Sequence, residues 1–334
     1  MRRPIQLLAT ALLLLGVQAR PQEPGRAPTF SVAVNLVKVP ISIIDLKGAS
    51  ILDVRREDII LYEDGVRQQI RSFGIDRNPV SVVLAIDTSA TVEAEEKKIK
   101  ESAESFAEAL GRDDRISIIT FADEVTLLQD WTSGPKPVRK ALRKIKPGLR
   151  TALYDAMYSA AHDQLAGMEG RKAIILLTDC LNNQSSFGFP DASLAVVQSQ
   201  ASLYVVSKTV IVRKAAHLQR RVVMLQDIYR HLFGDGSDYV EEFFRKREDE
   251  MVDLAEKTGG RCFFPEDYDQ IPGVYDQVAR ELNSQVFMTY VSNQNKVPDS
   301  YHTITVDFLQ PSSKLTYRKG YYYEPRQLRR RVLP

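Results

Sequence analysis

Two apolar segments that each lead to an aspartate constrain the fold of this 334-residue chain more than any other feature. The first, Val80–Ile86, runs into residues 87–91, Asp-Thr-Ser-Ala-Thr, and the second, Ala173–Leu177, runs through Thr178 into Asp179. Nearly continuous apolar runs of this length are typical of strands buried on both faces, as in a parallel sheet. Open α/β sheets bind ligands at the carboxyl ends of their strands, so both aspartates lie where a site is expected.

A third element lies between the two runs. Residues 148–155, Gly-Leu-Arg-Thr-Ala-Leu-Tyr-Asp, predict a turn that enters a helix, with the Thr151 hydroxyl at its start. Taken singly, each of these polar residues has an ordinary use as a helix N-cap or a strand end. The loop at 87–91, however, offers several oxygen ligands and no Cys or His, which suits a hard cation such as Mg²⁺ better than zinc.

The pattern Asp-x-Ser-x-Ser, then Thr, then Asp resembles the metal-ion-dependent adhesion site of von Willebrand factor type A domains. The likeness covers roughly residues 78–285, and five residues fall on the motif positions: Asp87, Ser89, Thr91, Thr151 and Asp179. The resemblance implies an α/β, Rossmann-like fold with a doubly wound, mostly parallel sheet and one antiparallel edge strand. It also implies that the three hydroxyl residues coordinate Mg²⁺, with Mn²⁺ or Ca²⁺ as alternatives, while the two aspartates act mostly through water.

The function that this resemblance implies is binding rather than catalysis. A cation held mainly by neutral hydroxyls keeps excess positive charge, so an exposed Asp or Glu of a protein partner can complete its coordination. The flanking segments 57–65 and 318–322 are similar to those of a family of exported bacterial proteins related to von Willebrand factor type A domains. We therefore expect an exported, metal-dependent adhesion module that is not an enzyme.

Three residues depart from the family pattern and leave other functions open. Thr91 stands where Ser is usual, Ala90 where Gly is common, and Cys180 where Gly often follows the second aspartate. One alternative is therefore a metal-independent cell-envelope scaffold with a degenerate site. The other is a Mg²⁺-dependent phosphohydrolase with Asp87 as nucleophile, although the chain has no phosphate-binding glycine loop and its four histidines are scattered.

Strand-like segments flank the predicted type A domain. The N-terminal β segment (30–77) contains a hairpin signal at Glu63-Asp64-Gly65, with 69–73 as its second arm, and the C-terminal β segment (286–323) also alternates as strands do. We expect the two segments to pair into a small β-sandwich-like domain, with the type A domain (78–285) inserted between them.

More helix follows the fifth predicted strand than a single crossover needs. We interpret the stretch at about 208–238 as a helical insertion over the rim of the sheet. It is a candidate for partner contact or for a lid over the site, and the alternative is a packed helix that only covers the core.

The N-terminal residues predict export. Arg2 and Arg3 precede an apolar core at 7–17 and a small-x-small cleavage pattern, which together indicate a signal peptide over 1–19, followed by a flexible lead over 20–29. A retained N-terminal anchor is the alternative, although the apolar stretch is too short to span a bilayer comfortably. We expect a periplasmic or secreted protein, with envelope association as an option and no transmembrane helix in the mature chain.

The charge of the chain provides no general affinity for nucleic acid. The formal net charge of +2 falls to zero without residues 1–19, because Arg2 and Arg3 are their only charged residues. The basic tail at 324–334 is expected to be solvated, and a lipid- or acid-binding patch is the alternative.

The two cysteines are predicted to be free thiols. Cys180 and Cys262 are expected on or beside the fourth and sixth strands, with the fifth strand between them. Two strand spacings place their backbones about 10 Å apart, beyond the reach of a disulfide.

Overall fold

The computed structural model of the protein describes residues 35–45, 50–89, 93–218, 237–294, 296–310, 313–326 and 328. The predicted signal peptide and flexible lead, Thr91, and most of the predicted insertion and basic tail lie outside these residues.

The described residues form fourteen strands, which in chain order are β1 (Leu36–Asp45), β2 (Ile59–Glu63), β3 (Val66–Gln68), β4 (Ile70–Ile75), β5 (Val80–Asp87), β6 (Arg115–Phe121), β7 (Val125–Thr132), β8 (Arg171–Thr178), β9 (Ser202–Ser207), β10 (Arg261–Phe263), β11 (Val286–Val291), β12 (Ser300–Phe308), β13 (Ser313–Tyr317) and β14 (Gly320–Tyr323). The α-helices are α1 (Glu93–Ala109), α2 (Pro135–Leu142), α3 (Leu153–Tyr158, continued by a π-helical turn at Ser159–Gln164), α4 (Phe189–Ser199), α5 (Thr209–Leu218), α6 (Ser237–Thr258) and α7 (Ile271–Asn283). Within the described part of the chain, no helix is both long enough and apolar enough to cross a membrane.

The central sheet has the strand order β10-β9-β8-β5-β6-β7. Its neighbours pair in parallel except β6 and β7, which pair antiparallel at the edge. All eight residues of β5 are buried, as its apolar run predicts. The predicted fold, a Rossmann-like and mostly parallel sheet with one antiparallel edge strand, is confirmed.

Helices cover both faces of this sheet, so the sheet is doubly wound. On one face, α1 and α7 contribute Phe106 and Tyr275 to the core, and on the other, α3 contributes Met157. Because side chains alternate along a strand, Leu84 of β5 belongs to the first core and Val83 to the second. Burial on both faces explains why the central residues of β5 and β8 are apolar in an unbroken run rather than alternating.

Strands from the two flanking segments form the β-domain, in which two four-stranded sheets have the orders β13-β1-β11-β4 and β14-β12-β2-β3. Their shared core contains Val39, Leu61, Met288 and Tyr290. Strands that precede the central sheet pair with strands that follow it, β1 with β11 and β2 with β12. The prediction that the type A domain is inserted into a small β-sandwich-like domain is therefore confirmed.

The hairpin in the first flanking segment differs from its prediction in its second arm. Asp64 and Gly65 form the turn with φ of 49° and 77°, but the strand that pairs with β2 is β3, at Val66–Gln68. The run at 69–73 instead belongs mainly to β4, which pairs with β11 in the other sheet. The chain therefore changes sheets near residue 69, and nothing in the sequence of residues 66–75 marks that change.

The region after β9 is described only in part. α5 extends to Leu218, and α6 begins at Ser237, so the predicted role of the insertion at 208–238 stays a prediction. Cys180 and Cys262 are free, and β9 lies between the strands beside or on which they are placed.

Candidate functional site

Three neighbouring strands of the central sheet lead to charged residues at the same edge. Asp87 is the last residue of β5, Asp179 follows β8, and Lys208 follows β9. Because these strands are parallel and adjacent, their carboxyl ends lie side by side. The backbone N–H of Lys208 donates to the carbonyl of Thr178 at 2.7 Å, which fastens the ends of β8 and β9 together.

The Asp87 carboxylate lies at the centre of this group and is completely buried. Its Oδ1 accepts hydrogen bonds from the backbone N–H of Ser89 at 2.9 Å and from the Ser89 hydroxyl at 2.5 Å. Its Oδ2 lies 3.5 Å from the backbone nitrogen of Asp179 and 3.5 Å from the Lys208 ammonium. A buried carboxylate needs partners of this kind, because an unpaired charge away from water is very costly.

Asp179 is half-buried beside Asp87. Its Oδ1 accepts a hydrogen bond from the backbone N–H of Leu181 at 3.0 Å. Burial and then the negative charge of Asp87 raise the pKa of the Asp179 carboxyl to about 6, while Lys208 acts in the opposite direction. The Asp87 carboxylate thus disfavours the charge on Asp179, and the Lys208 ammonium offsets this effect only in part.

Thr151 joins the same group through its hydroxyl. The buried Thr151 Oγ1 donates to Ser89 Oγ at 3.0 Å, and Ser89 Oγ donates onward to Asp87. We call Asp87, Ser89, Thr151 and Asp179 the oxygen cluster. The structure therefore brings together four of the five predicted site residues, while Thr91 lies outside the described residues.

The loop that carries Thr151 is fixed by a close approach to the loop after β6. A Cβ at Gly148 would lie 2.5 Å from the Cβ of Ala122 and 2.6 Å from Asp123 Oδ2, so only glycine allows this approach. The Asp123 carboxylate accepts hydrogen bonds from the backbone N–H groups of Leu149 and Arg150, at 3.1 and 3.2 Å. Asp123 therefore positions the Thr151 loop, a role that its place in a short turn did not predict.

The loop after Asp179 is tied to Thr151 as well. Asn183 Oδ1 accepts a hydrogen bond from the backbone N–H of Thr151 at 2.8 Å, and the Asn183 N–H donates to the Thr151 carbonyl at 3.1 Å. The buried carboxylate of Asp155 accepts hydrogen bonds from the N–H groups of Ser186 and Phe187 at 2.8 to 3.0 Å. These contacts hold the Thr151 loop and the loop after Asp179 in a fixed position relative to each other.

Lys208 is the candidate residue that sequence reasoning missed. Its side chain is only 5% exposed, and among the described residues no other ion pair involves Asp87 or Asp179. Since β8 lies between β9 and β5, the lysine stem reaches across one strand to contact Asp87. The available signal was a lysine directly after an apolar run, but lysines at strand ends are usually solvated.

Cys180 lies next to the oxygen cluster but belongs to the core. Its φ of 61° is in the left-handed region, where glycine is most easily accommodated. Its side chain is buried among the residues that α3 and α4 cover, with Sγ 3.6 Å from Ser207 Oγ. Burial raises the pKa of the Cys180 thiol to about 12, so it stays protonated at neutral pH.

The oxygen cluster fits a hard divalent cation in both chemistry and charge. Across the described parts of the chain there is no group of three or more His, Cys, Asp or Glu side chains that could hold a metal ion. The cluster instead combines two carboxylates with two hydroxyls, which are the oxygen donors that Mg²⁺ and Ca²⁺ prefer. Two carboxylates facing one ammonium also leave a net negative charge that a cation would neutralise.

A second buried ionic group lies in the β-domain, and we call it the Glu63 network. The fully buried Glu63 carboxylate accepts hydrogen bonds from the Lys296 ammonium, from Ser292 Oγ at 2.5 Å and from Tyr321 Oη at 2.6 Å. Lys296 also donates to Tyr321 Oη at 2.6 Å. Burial alone would raise the pKa of Glu63, but the hydrogen bonds from Lys296, Ser292 and Tyr321 outweigh it and lower that pKa.

A Ser-His-Asp chain in the β-domain has the spacing of a hydrolase triad but different hydrogen bonds. His302 Nδ1 lies 2.7 Å from Asp64 Oδ2, and Nε2 lies 2.8 Å from Ser300 Oγ. The Ser300 hydroxyl donates to the Val297 carbonyl at 2.5 Å, so its proton is directed at that carbonyl and not at the imidazole. Because Asp64 also accepts from the Thr303 N–H, this chain fastens the β2–β3 turn to β12.

The fold and the oxygen cluster together define a Rossmann-like α/β domain with a polar site at the carboxyl edge of its sheet. Residues 82–182 match the sequence profile of the von Willebrand factor type A domain. The chain therefore contains a domain of the von Willebrand factor type A family, as the motif predicted. Comparison with curated proteins finds no match.

Several solved structures are similar to this chain. A von Willebrand factor type A protein from Catenulispora acidiphila is 9% identical, with 88% of this chain and 75% of that chain covered and a TM-score of 0.44. The conserved hypothetical protein BatB from Bacteroides thetaiotaomicron is 25% identical over 38% of this chain and 66% of its own, with a TM-score of 0.32. Proximal thread matrix protein 1 from the mussel byssus, in a structure with a zinc-occupied MIDAS motif, is 14% identical, with a TM-score of 0.46. That match covers 66% of this chain and about half, 49%, of the mussel protein, and TM-scores this low carry no argument about function.

Proposed function

We propose that this protein is an exported binding module that captures an acidic side chain of a protein partner through a divalent cation at the oxygen cluster. One observation carries the proposal: Asp87, Ser89, Thr151 and Asp179 converge from three loops at one edge of a parallel sheet. Polar groups assembled at this edge are where open α/β sheets bind ligands.

The proposed cation is Mg²⁺, with Mn²⁺ or Ca²⁺ as substitutes. Ser89 and Thr151, together with Thr91, would hold it directly, and Asp87 and Asp179 would hold its waters. The cation would supply one position for an anionic oxygen of the partner. The protein's own part is to keep the hydroxyls in place: Asp87 orients Ser89, and the Thr151 loop is held by its neighbours.

The burial of Asp87 favours binding over phosphoryl transfer. Both oxygens of this carboxylate face polar groups of the protein, and its side chain has no exposed surface. A nucleophile must reach its substrate, so this carboxylate is better suited to supporting a bound cation than to attacking a phosphoester. We propose for this reason that the module is not an enzyme.

The proposed location is outside the cytoplasm, in the periplasm or in the secreted fraction. Support comes from Arg2, Arg3 and the apolar core at 7–17, which have the order of a signal peptide. Fractionation of cells that express the full chain, followed by N-terminal peptide mapping, tests this part of the proposal. A cytoplasmic chain that keeps its first residues would contradict it.

Calorimetric titration of the full chain with Mg²⁺ and Mn²⁺ after chelator treatment tests the metal site. We expect saturable binding to one site, weakened at least about tenfold in Asp179→Ala. Asp249→Ala is the matched control, because Asp249 is an exposed aspartate on α6, and this variant should bind as the wild type does. Absence of heat and of any metal-induced thermal shift in the wild type would refute the proposed site.

A paired peptide array tests the acidic partner. Each peptide that contains Asp or Glu is matched with its Asn or Gln counterpart, and the array is probed with the protein in Mg²⁺ and in chelator. We expect Mg²⁺-dependent binding to acidic members only. Equal binding to acidic and amide peptides would show that the partner is not read through a carboxylate.

One observation favours the metal-independent scaffold as a second candidate. Lys208 already provides Asp87 with a buried cationic partner, so the fold does not depend on a metal ion to satisfy that carboxylate. In a scaffold, Asp179→Ala would leave partner binding unchanged and insensitive to chelator. In the metal-dependent module, the same substitution abolishes it.

A further inference from the structure

We propose that Lys208 is a built-in competitor of the metal ion, which weakens cation binding and leaves the loaded site positively charged for an acidic ligand. The inference depends on the proposed metal site. In it, Lys208 lowers the affinity of the site for the metal ion and raises the affinity of the loaded site for a carboxylate. Three observations carry it: the burial of the side chain, its ion pair with Asp87 and the fixed backbone from which it extends.

The burial of Lys208 shows that its charge belongs to the site rather than to the solvent. Lysine is almost never fully buried unless it is paired, and here the side chain is 5% exposed while that of Asp87 is 0% exposed. Its ammonium lies 3.5 Å from Asp87 Oδ2, the oxygen that does not accept from Ser89. Lysine and a bound cation would therefore draw on the same carboxylate.

The backbone that carries the Lys208 side chain is held on two sides. Its N–H donates to the Thr178 carbonyl at 2.7 Å, and its carbonyl accepts from Val212 in the first turn of α5 at 2.9 Å. On either side of it, the hydroxyls of Ser207 and Thr209 hydrogen-bond to each other at 2.8 Å. The ammonium thus extends from a backbone held to both β8 and α5, and its stem is buried, so a cation at the oxygen cluster would bind beside it.

The charges give the direction of both effects. Asp87 and Asp179 contribute two negative charges and Lys208 one positive charge, so this ionic group has a net charge of minus one when both aspartates are ionised. A divalent cation changes that charge to plus one. Without the lysine, the same change would run from minus two to zero. Lys208 therefore reduces the attraction for the metal and increases the attraction of the loaded site for an anion.

Calorimetry with Mn²⁺ on the full chain tests the inference through metal affinity. Lys208→Gln removes the charge and keeps a donor for Asp87, so we expect Mn²⁺ to bind at least about tenfold more tightly than in the wild type. Lys214→Gln is the matched control, because Lys214 is an exposed lysine of α5 paired with Glu266 at the surface. It removes the same net charge and should leave the affinity within about twofold of the wild-type value.

Lys208→Arg tests the same competition in the opposite direction and covers the case in which Lys208→Gln does not fold without metal. A guanidinium pairs with a carboxylate more strongly than an ammonium does, so Mn²⁺ should bind about threefold or more weakly. Unchanged affinity in Lys208→Gln, or in Lys208→Arg, would overturn the inference while the metal site itself stands. If neither the wild type nor Lys208→Gln binds Mn²⁺, the proposed function fails first. Binding in Lys208→Gln alone would support the inference.

Discussion

Two buried ionic groups of the described structure, the Glu63 network and the oxygen cluster, differ in their hydrogen bonding. In the Glu63 network, one carboxylate receives hydrogen bonds from an ammonium, a serine and a tyrosine. In the oxygen cluster, two carboxylates lie together, and among the described residues one ammonium, that of Lys208, pairs with one of them at 3.5 Å. The pKa values follow: that of Glu63 is lowered, whereas that of Asp179 is raised to about 6.

The difference separates a structural use of buried charge from a functional one. Partners that satisfy a charge in the folded state stabilise the fold, and their hydrogen bonds are unavailable to a ligand. A carboxylate pair that lacks compensation destabilises the fold and supplies binding free energy to any cation that enters. The Glu63 network is of the first kind, and the oxygen cluster is of the second.

Lys296→Met should have the largest effect, because it breaks the satisfied group. It leaves the Glu63 carboxylate buried beside Tyr321 and Ser292 without its cation, and we expect a loss of about 3–5 kcal/mol in the free energy of unfolding. Chemical denaturation in chelator measures this loss. Lys314→Met, at an exposed position of β13, is the control. A loss below about 1 kcal/mol would show that the network is not what stabilises the β-domain core.

Asp179→Asn should have the opposite sign in the absence of metal. Its ordinary pKa is 3.8, and the folded-state value of about 6 means that the folded protein holds the proton more tightly than the unfolded chain. The carboxyl therefore destabilises the fold increasingly between about pH 4 and pH 6, and fully above that range. We expect Asp179→Asn to be more stable than the wild type by about 2 kcal/mol at pH 7.5 in chelator.

The pH dependence is the decisive part of that measurement. The stability difference between Asp179→Asn and the wild type should vanish near pH 4 and reach its full value above pH 6. Asp249→Asn, on the exposed side of α6, should show no such trend. Saturating Mg²⁺ should reverse the order of stability, since it stabilises only the wild type. A variant that is less stable than the wild type in chelator at neutral pH would place Asp179 with the satisfied charges.

Glu63→Gln should show the reverse dependence on pH. A lowered folded-state pKa means that the ionised Glu63 stabilises the fold above its ordinary pKa of 4.5, and that this contribution is lost as the pH falls through the folded-state value. We expect the variant to be less stable by about 1–2 kcal/mol at pH 7 and to approach the wild type in acid. Asp307→Asn, at an exposed site of β12, is the control. A difference that does not change with pH would contradict the ionised state of Glu63.

The sequence predicted the oxygen cluster better than the Glu63 network, and the reason is physical. Asp87 and Asp179 each follow a long apolar run, and adjacent parallel strands bring such residues together whatever their separation along the chain. Glu63 also follows an apolar run, Ile59–Tyr62, but it begins a polar turn, and Lys296 lies 233 residues away in a second polar segment. Only the pairing of β12 with both β2 and β14 brings those polar segments together.

Lys208 shows what the position of a residue at the end of a parallel strand does not predict. Its position after β9 predicts where its backbone lies but not that its side chain reaches across β8, because a lysine can equally extend into solvent. The change of sheets near residue 69 is a similar case, because strand-forming residues do not show which other strand they pair with. The sequence patterns thus predicted the strands and the sheet edge at which their ends meet. The direction of an individual side chain, such as that of Lys208, could be seen only in the folded structure.

A matched pair of serines provides the smallest and most direct comparison. Ser292 and Ser89 each donate from Oγ to a buried carboxylate oxygen at 2.5 Å, that of Glu63 and that of Asp87. Ser292→Ala should lower the free energy of unfolding by about 1.5 kcal/mol, because it removes a hydrogen bond to a charged group. In chelator, the loss of unfolding free energy in Ser89→Ala should be smaller than that in Ser292→Ala by about 1 kcal/mol. The reason is that the Ser89 backbone N–H still donates to the same Asp87 oxygen at 2.9 Å.

Denaturation of both variants measures the two losses, and calorimetry should show weakened Mn²⁺ binding in Ser89→Ala alone. If the two alanine variants lost equal stability and bound the metal equally, the distinction between the two buried groups would not hold.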